Sequence, residues 1–507
     1  VTRDGAAGSK PDAHSDSAPR GGLWNAFARS VRDNLIAEVA VQALRFGGMV
    51  ILARALRPGD FGLFRVLVVV SAFAMLVNES GIPDALIQRK TITPAHESTA
   101  WWLSLALAMV SAAGLYAAAP LAARAMAMPE LAAGIRLLCI PILLEGTAVT
   151  ANARLRRALR FGALAVADVI GEAAFLMVAL AMLWAGYPRL SLASALGARF
   201  VFHAASVWAV DPYLPRVLPR LSAARDFTRF SSSVLGGRLI VLFSSNADFL
   251  LVGRLLGSSA LGFYSMAWDL LRFIPDRLSR VAGRVTLPAF CRLQDDDQRL
   301  AKAYRDFFSY LCRFVIPIVA CASIAAPELI GFIYGPKWVP AATQMRLLAP
   351  GLILLGLRVG IGSIYYTKDH PSFDIYLHTA RLILIVATVT AASAGGLSTV
   401  SIGMSVVEGV VSVAGQWMAC ALVGLSIASL CADALPALTL TAMCGAATMA
   451  GRSIGKLFGA NDPALIALIA LPPAVVFIWR EAGDLGAMVS RAFGSQPASI
   501  DLTEERA

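Results

Sequence analysis

Apolar residues in this chain run in blocks of about 18 to 25, long enough to cross a bilayer as helices, and the blocks recur from about residue 31 to about 482. Breaks at Pro, Gly and charge clusters predict helices over 31–56, 61–83, 98–120, 131–153, 163–186, 190–210, 227–256, 261–287, 304–327, 340–366, 373–394, 399–424, 427–449 and 463–481. The runs are continuous and rich in Ala and Leu, unlike the short period-two strands of a membrane barrel. The expected class is an all-α polytopic membrane protein with about fourteen spans.

The eighth span departs from the pattern. Its "DLLRFIPDRLSRVAGR" places Asp269, Arg272, Asp276, Arg277, Arg280 and Arg284 on one side of a helix, and Leu270, Leu271, Ile274, Leu278 and Val281 towards the other. A charge facing lipid costs about 2.5–3.5 kcal/mol even on the lenient insertion scale, so such a stripe must face a cavity or be paired. Pairing within the helix is available, Asp269 with Arg272 or Arg277 and Asp276 with Arg272 or Arg280. Four arginines against two aspartates leave positive charge over, which favours a cavity lined by Arg272, Arg280 and Arg284, with Asp269 and Asp276 beside them. Guanidinium stays protonated and offers forked donors that match phosphate or carboxylate oxygens. Arg277 and Arg284 have a second use, snorkelling to the interface.

Composition supports the class: 57% of the 507 residues are hydrophobic and 15% charged, against about 25% charged in soluble domains. Much of the net charge of +11 alternates between loops. Arg29 and Arg32, Arg89 and Lys90, the Arg154, Arg156, Arg157, Arg160 run, Arg216, Arg220 and Arg225, and Arg292, Arg299 and Lys302 all fall on one side. The positive-inside rule then puts both termini in the cytoplasm and the basic loops against anionic lipid, with no nucleic-acid role. Residues 1–30, polar and without an apolar h-region, and residues 483–507 read as cytoplasmic tails. The seven dispersed cysteines form no C-x-x-C pair and read as packing residues, so neither a metal nor a disulfide framework is expected. No P-loop appears, and no cofactor is expected.

An internal repeat is visible at an offset of 200 residues. Arg54, Leu56, Phe61, Gly62 and Phe64 of "RALRPGDFGLF" correspond to Arg254, Leu256, Leu261, Gly262 and Tyr264 of "RLLGSSALGFY". Each copy ends one span and begins the next across a short outer turn, as in transporters with parallel repeats.

Other ionisable residues within spans extend the candidate site. Glu38 and Arg45 lie seven apart on one face of the first span and could line the cavity or pair with neighbours. Arg238 and Asp248, with Asn246, flank a polar interruption in the seventh, as a gate or a packing cluster. Asp168 and Glu172, one turn apart on the fifth, could share a proton, although ion pairing to the Arg154–Arg160 run competes. Arg346, Arg358 and Arg381 could add positive charge from the tenth and eleventh spans. His203 and His378 read as isolated packing histidines, and Glu145 and Glu408 as solitary carboxyls in apolar runs.

Six stretches follow one another along the chain: "LARALRPGDFGLF", "GIPDALIQRKTITPAHESTAWWLSLALA", "RLRRALRFGALAVADVIGE", "SSNADFLLVGRLLGSSALGFYSMAWDL", "LPAFCRLQDDDQRLAKAYRDFF" and "YGPKWVPAATQMRLLAP". In these blocks and their order, over roughly residues 40 to 380, the chain resembles the Wzx-like bacterial polysaccharide exporters of the multidrug/oligosaccharidyl-lipid/polysaccharide superfamily. At "GYPRLSLASALGA" the chain departs from the usual Gly- and Trp-bearing turn, and after 380 only hydropathy is shared. The resemblance implies two six-helix bundles, 31–211 and 227–424, around a V-shaped cavity, with two further helices in 427–482. It also implies a flippase that moves undecaprenyl-diphosphate-linked oligosaccharide between leaflets of the inner membrane by alternating access. A polysaccharide polymerase and glycosyltransferases would then be its neighbours in synthesis. Sugar and diphosphate are expensive to expose to hydrocarbon, so the job requires a wet polar path open to a lipid tail at its side.

A lipid II flippase or a multidrug/cation antiporter would share this architecture. A polymerase or lipid-linked glycosyltransferase would need a large outer loop, whereas the predicted outer loops are only about 5–15 residues. A non-enzymatic transporter is the expected function.

Overall fold

The computed structural model describes residues 20–494, apart from 90–91, 216, 220 and 458–461. Side chains are described except at 20–36, 221–234, 274, 280–282, 284–285, 456, 462–463 and 481–494. Among the described residues the regular structure is entirely helical. The first half holds α1 (Arg20–Ala55), α2 (Pro58–Glu79), α3 (Ile82–Gln88), α4 (Pro94–Met126), α5 (Glu130–Arg157), α6 (Phe161–Trp184) and α7 (Pro188–Val210). The second holds α8 (Leu221–Leu256), α9 (Ser258–Cys291), α10 (Asp297–Ile324), α11 (Ala326–Tyr334), α12 (Pro340–Gly356), α13 (Ile361–Thr367), α14 (Ser372–Ala392) and α15 (Gly396–Val423). Then come α16 (Ile427–Leu457) and α17 (Asp462–Gly494).

Local chemistry explains the helix ends. Pro58, Pro94, Pro188 and Pro340 each open a helix, where a missing N–H costs nothing and φ is already helical. Asp296 caps α10 by accepting from the Arg299 N–H at 3.0 Å. The tenth predicted span is broken: α12 stops at Gly356 and α13 starts after Gly360, whose φ of 88° suits only glycine. Helix also extends beyond two predicted boundaries. It starts at Arg20 within the predicted tail 1–30 and continues to Gly494 past 482. Leu23, Phe27, Val31 and Leu35 carry an apolar i,i+4 row through the first of these extensions. The remaining tail residues, 1–19 and 495–507, lie outside the described part.

Helix covers most of each predicted span, with breaks at Ser80–Gly81 in the second, at Ala325 in the ninth and at 357–360 in the tenth. Ten helical stretches among the described residues are long and apolar enough to cross a membrane, one of which, Ser372–Val423, holds both α14 and α15. The described parts of α1 and α9 are not among them, and these are helices that carry charge.

In the first half α4 packs on α5, α6 on α7, α5 on α7, α1 on α6 and α2 on α5. In the second, α8 packs on α14, α12 on α15 and α9, and α14 on α15, while α16 lies on α10 and α17 on α16. The halves meet mainly where α2 packs on α9 and where α8 packs on α2 and α4.

The 200-residue repeat reappears at that meeting point as a reciprocal contact. A Cβ on Gly62 would stand 1.9 Å from the Ser258 carbonyl oxygen, and one on Gly262 would stand 1.9 Å from the Pro58 carbonyl oxygen. Each copy therefore uses its glycine to seat the opening residue of the other copy's helix. Gly257, at φ 89°, makes the turn that brings Ser258 there.

Candidate functional site: the interface between the two helix groups

The interface is closed at the end where α2 and α9 begin. Trp338, fully buried, donates Nε1–H to the Ala53 carbonyl at 2.7 Å and meets Phe61 and Phe263 edge-on, at 5.1 and 6.0 Å between ring centroids. Lys337 Nζ donates to the Arg54 carbonyl at 2.8 Å, and Arg54 donates to the carbonyls of Ile333, at 3.1 Å, and Phe332. The C-terminal end of α1, with its unsatisfied carbonyls, is thus satisfied from the other half of the chain.

Further along, the charged side of α9 faces the first helix group. Asp269 pairs with Arg65 of α2, whose guanidinium also lies 4.4 Å from the Phe249 ring centroid. Asp269 is therefore paired between helices, not with Arg272 or Arg277 within its own. Arg272 does pair within α9, donating Nε and Nη2 to Asp276 Oδ1 at 3.1 and 2.9 Å. Both side chains remain accessible, at 33% and 40%. Arg277 donates to Gln42 of α1 and lies over Phe273, which in turn contacts Phe46 of α1 at 5.6 Å. The stripe is an interface feature. The side chains of Arg280 and Arg284 lie outside the described part.

Arg45 of the first span is half exposed and bonded to Glu172 of α6. Glu38 accepts from Gln42 at 2.8 Å, so it belongs to the same row as the Gln42–Arg277 contact. At the far end of α2, Arg238 of α8 pairs with Asp84 of α3 at 2.6 Å, a second ion pair between the halves.

Glu172 is almost fully buried and held by Arg45 and by Arg199, the latter at 3.1 Å. The Arg154–Arg160 run supplies neither partner: Arg154 binds Glu97 at 2.9 Å and Asp211 at 2.8 Å. Asp168 lies 3.8 Å from His203 Nε2, while His203 Nδ1 lies 2.8 Å from Glu145. His203 is thus not isolated, nor is Glu145 solitary. Each of the two carboxylates that the sequence offered as a proton-sharing pair has a partner on α7, Arg199 for Glu172 and His203 for Asp168.

Three further candidates have partners within the second helix group. Arg381 is fully enclosed, bonded to Glu408 and to the Ser244 carbonyl. Asp248 is equally enclosed and accepts from Tyr264 at 2.9 Å, and His378 is bonded to Ser244 at 2.7 Å. Arg346 is exposed and donates to the Ser323 and Ile324 carbonyls at 3.3 and 3.2 Å, satisfying the C-terminal end of α10. Arg358 stands at the break between α12 and α13 and forms no ion pair among the described residues. Sequence reasoning passed over Arg65 and Arg199, although each is a charge inside an apolar run, the signal that marked the others.

Comparison with known proteins agrees with this architecture. TuaB, a teichuronic acid biosynthesis protein of Bacillus subtilis, is 24% identical over 385 residues, covering 74% of this chain and 78% of its own. WzxC, a lipopolysaccharide biosynthesis protein of Escherichia coli, is 23% identical over 380 residues, covering 74% and 76%. ExoT, a succinoglycan biosynthesis transport protein of Rhizobium meliloti, is 28% identical over 326 residues, covering 63% and 65%. Among solved structures, the lipid II flippase MurJ in an inward closed conformation superposes with a TM-score of 0.70 at 12% identity, covering 91% of this chain and 99% of its own. An inward-facing MATE multidrug transporter gives 0.62 at 16%, covering 75% and 95%. At these identities the structures establish the fold alone. The family described as polysaccharide biosynthesis protein matches residues 51–343, more than half of the sequence, and the chain belongs to that family.

Proposed function

We propose that the protein carries undecaprenyl-diphosphate-linked oligosaccharide from the cytoplasmic to the periplasmic leaflet of a bacterial inner membrane, for exopolysaccharide, capsule or O-antigen synthesis. The observation that carries the reading is the direction of the α9 stripe. Asp269 meets α2, Arg277 meets α1, and Arg272 stays accessible beside them. Charge at membrane depth is tolerated where it lines a path for a polar cargo. The names of the relatives point to the same class of cargo, one of them being a biosynthesis transport protein.

The basic loops put the Arg154–Arg160 side in the cytoplasm and both termini with it. The end sealed by Gly62, Gly262 and Trp338 then faces the periplasm, and alternating access requires these contacts to part. Arg272, Arg280 and Arg284 hold the diphosphate, and the lipid tail passes between α1 and α9. The protein performs no covalent chemistry. Glycosyltransferases supply the substrate and a polymerase consumes it.

The test is made in the native host. Deletion of the gene is expected to leave lipid-linked oligosaccharide in the inner leaflet, out of reach of a glycosidase added at the periplasmic face. Appearance of unpolymerised oligosaccharide at the periplasmic face would overturn the reading and place the function downstream.

A further inference from the structure

A cavity of about 160 Å³ lies among α2, α3, α5, α6 and α7, at the end of α2 remote from Gly62. At about 30 Å³ per water it is the size of about five waters. Its walls carry both signs of charge, with Glu79 from α2, Glu145 and Arg156 from α5, Asp168 from α6, and Arg199 and His203 from α7. Glu79 and Arg156 are exposed and reach water. Arg199 binds Glu172 of α6 at 3.1 Å, and Glu172 in turn holds Arg45 of α1.

His203 stands between two of these carboxylates, with Nδ1 2.8 Å from Glu145 Oε1 and Nε2 3.8 Å from Asp168 Oδ1. Asp168 is 57% accessible, whereas His203 and Glu145 are withdrawn at 16% each. A neutral imidazole keeps a lone pair on one ring nitrogen, which here would face a carboxylate; only the imidazolium donates from both. The charges of the whole group require the same proton. Arg45, Arg156 and Arg199 are three cations against the four carboxylates of Glu79, Glu145, Asp168 and Glu172, so one added proton brings the balance to zero and its loss leaves a negative charge over at membrane depth.

The second half has the neighbouring ion pair without this group. Glu172 on α6 and Arg199 on α7 are 27 residues apart, and Arg381 on α14 and Glu408 on α15 are also 27 apart, with the signs exchanged. Arg381 and Glu408 are enclosed, and the histidine near them, His378, bonds Ser244 instead of a carboxylate. Exchange of a proton with water is thus a property of the first helix group.

We propose that Glu145, His203 and Asp168 form an exchangeable proton site that couples transport to a proton gradient, one proton moving inward for each cargo molecule moved outward. With the Gly62 end closed, the N–H bond at His203 Nε2 breaks, Asp168 takes the proton, and water in the cavity carries it away past Glu79 and Arg156. A proton taken up after α2 and α9 part restores the imidazolium. The change of charge reaches the transport path through neighbours. Arg199 is one turn from His203 and Glu172 one turn from Asp168, and together they hold Arg45 on α1, the helix whose Gln42 binds Arg277 of α9. The inference rests on the transport function proposed above and adds its driving ion.

The test uses the full chain in vesicles made with lipid extracted from the gene-deletion strain, which brings the accumulated lipid-linked oligosaccharide, while potassium and valinomycin hold the membrane potential at zero. A glycosidase added outside reads the outer-leaflet fraction after equilibration across an imposed pH difference. For one proton per cargo molecule the ratio between leaflets should shift about tenfold per pH unit, towards the acidic side. His203→Gln and Asp168→Asn should still equilibrate the oligosaccharide but leave the ratio near one, and Arg346→Ala should respond as the wild type does. Asp168→Asn alters an accessible side chain, which guards against a folding defect in the other variant. A wild-type ratio indifferent to pH, a wild-type response by either His203→Gln or Asp168→Asn, or loss of all movement in both at unchanged Tm would each overturn the proton site. Absence of the oligosaccharide from the extract, or no movement of it by the wild-type protein, defeats the transport reading itself and this inference with it.

Discussion

Arg65 and Asp269, 204 residues apart in the chain, meet as an ion pair between α2 and α9 and join the two helix groups at the interface. The aspartate is 42% accessible and the arginine 18%, so the arginine is the partner that loses more hydration. Arg65→Ala should impair export more than fivefold, because it removes both the pair and the packing over Phe249. The exchange Arg65→Asp with Asp269→Arg should recover part of that loss, measured as polymer yield at equal protein level. No recovery would mean that the two act separately.

The glycine contacts predict a conformational effect. A methyl group on Gly62 would collide with the Ser258 backbone and hold the ends of α2 and α9 apart. Overpacking of this kind costs about 1–3 kcal/mol. Gly62→Ala should raise the labelling of a Ser258→Cys thiol by an impermeant maleimide added outside the cell, relative to the same cysteine beside Gly62. Unchanged labelling would show that the helices close regardless.

Arg381 and Glu408, accessible at only 4% and 1%, predict a stability effect in place of a substrate effect. Arg381→Leu leaves a buried carboxylate uncompensated and should lower unfolding stability by about 3–5 kcal/mol, read as a large fall in Tm in detergent. The double variant Arg381→Leu with Glu408→Leu should regain most of it, since neither charge is then buried alone. An equal fall in the single and double variants would refute the pairing argument.

Arg346 and Arg280 should separate in the host. Arg346→Ala removes hydrogen bonds to an exposed helix end and should leave export within about twofold of wild type, at a cost of about 0.3–1 kcal/mol in stability. Arg280→Ala, at normal protein level, should cause inner-leaflet accumulation of substrate. Wild-type export by this variant would remove Arg280 from the path and leave the flippase intact.

The hydrophobic runs were enough to place the long helices, because a span is a local property: some twenty apolar residues form a helix in lipid whatever surrounds them. The repeat, too, was legible, since Gly62 and Gly262 stand at matching places in similar stretches. The α9 stripe could be recognised from periodicity, which reports the residues that share a face. Partners are another matter. Asp269 had an in-helix candidate in Arg272 at suitable spacing, and Asp168 and Glu172 looked like one site, yet Asp269 took Arg65, Glu172 took Arg45 and Arg199, and Asp168 turned to His203. Arg381 read as a cavity cation until Glu408 and the Ser244 carbonyl enclosed it. Each of these outcomes depends on how helices distant in sequence pack, and an ion pair or a cavity wall forms only where that packing brings complementary groups within a few ångströms. The sequence by itself determined which segments form long apolar helices and which faces carry charge; the tertiary structure decided which charges neutralise one another and which remain accessible.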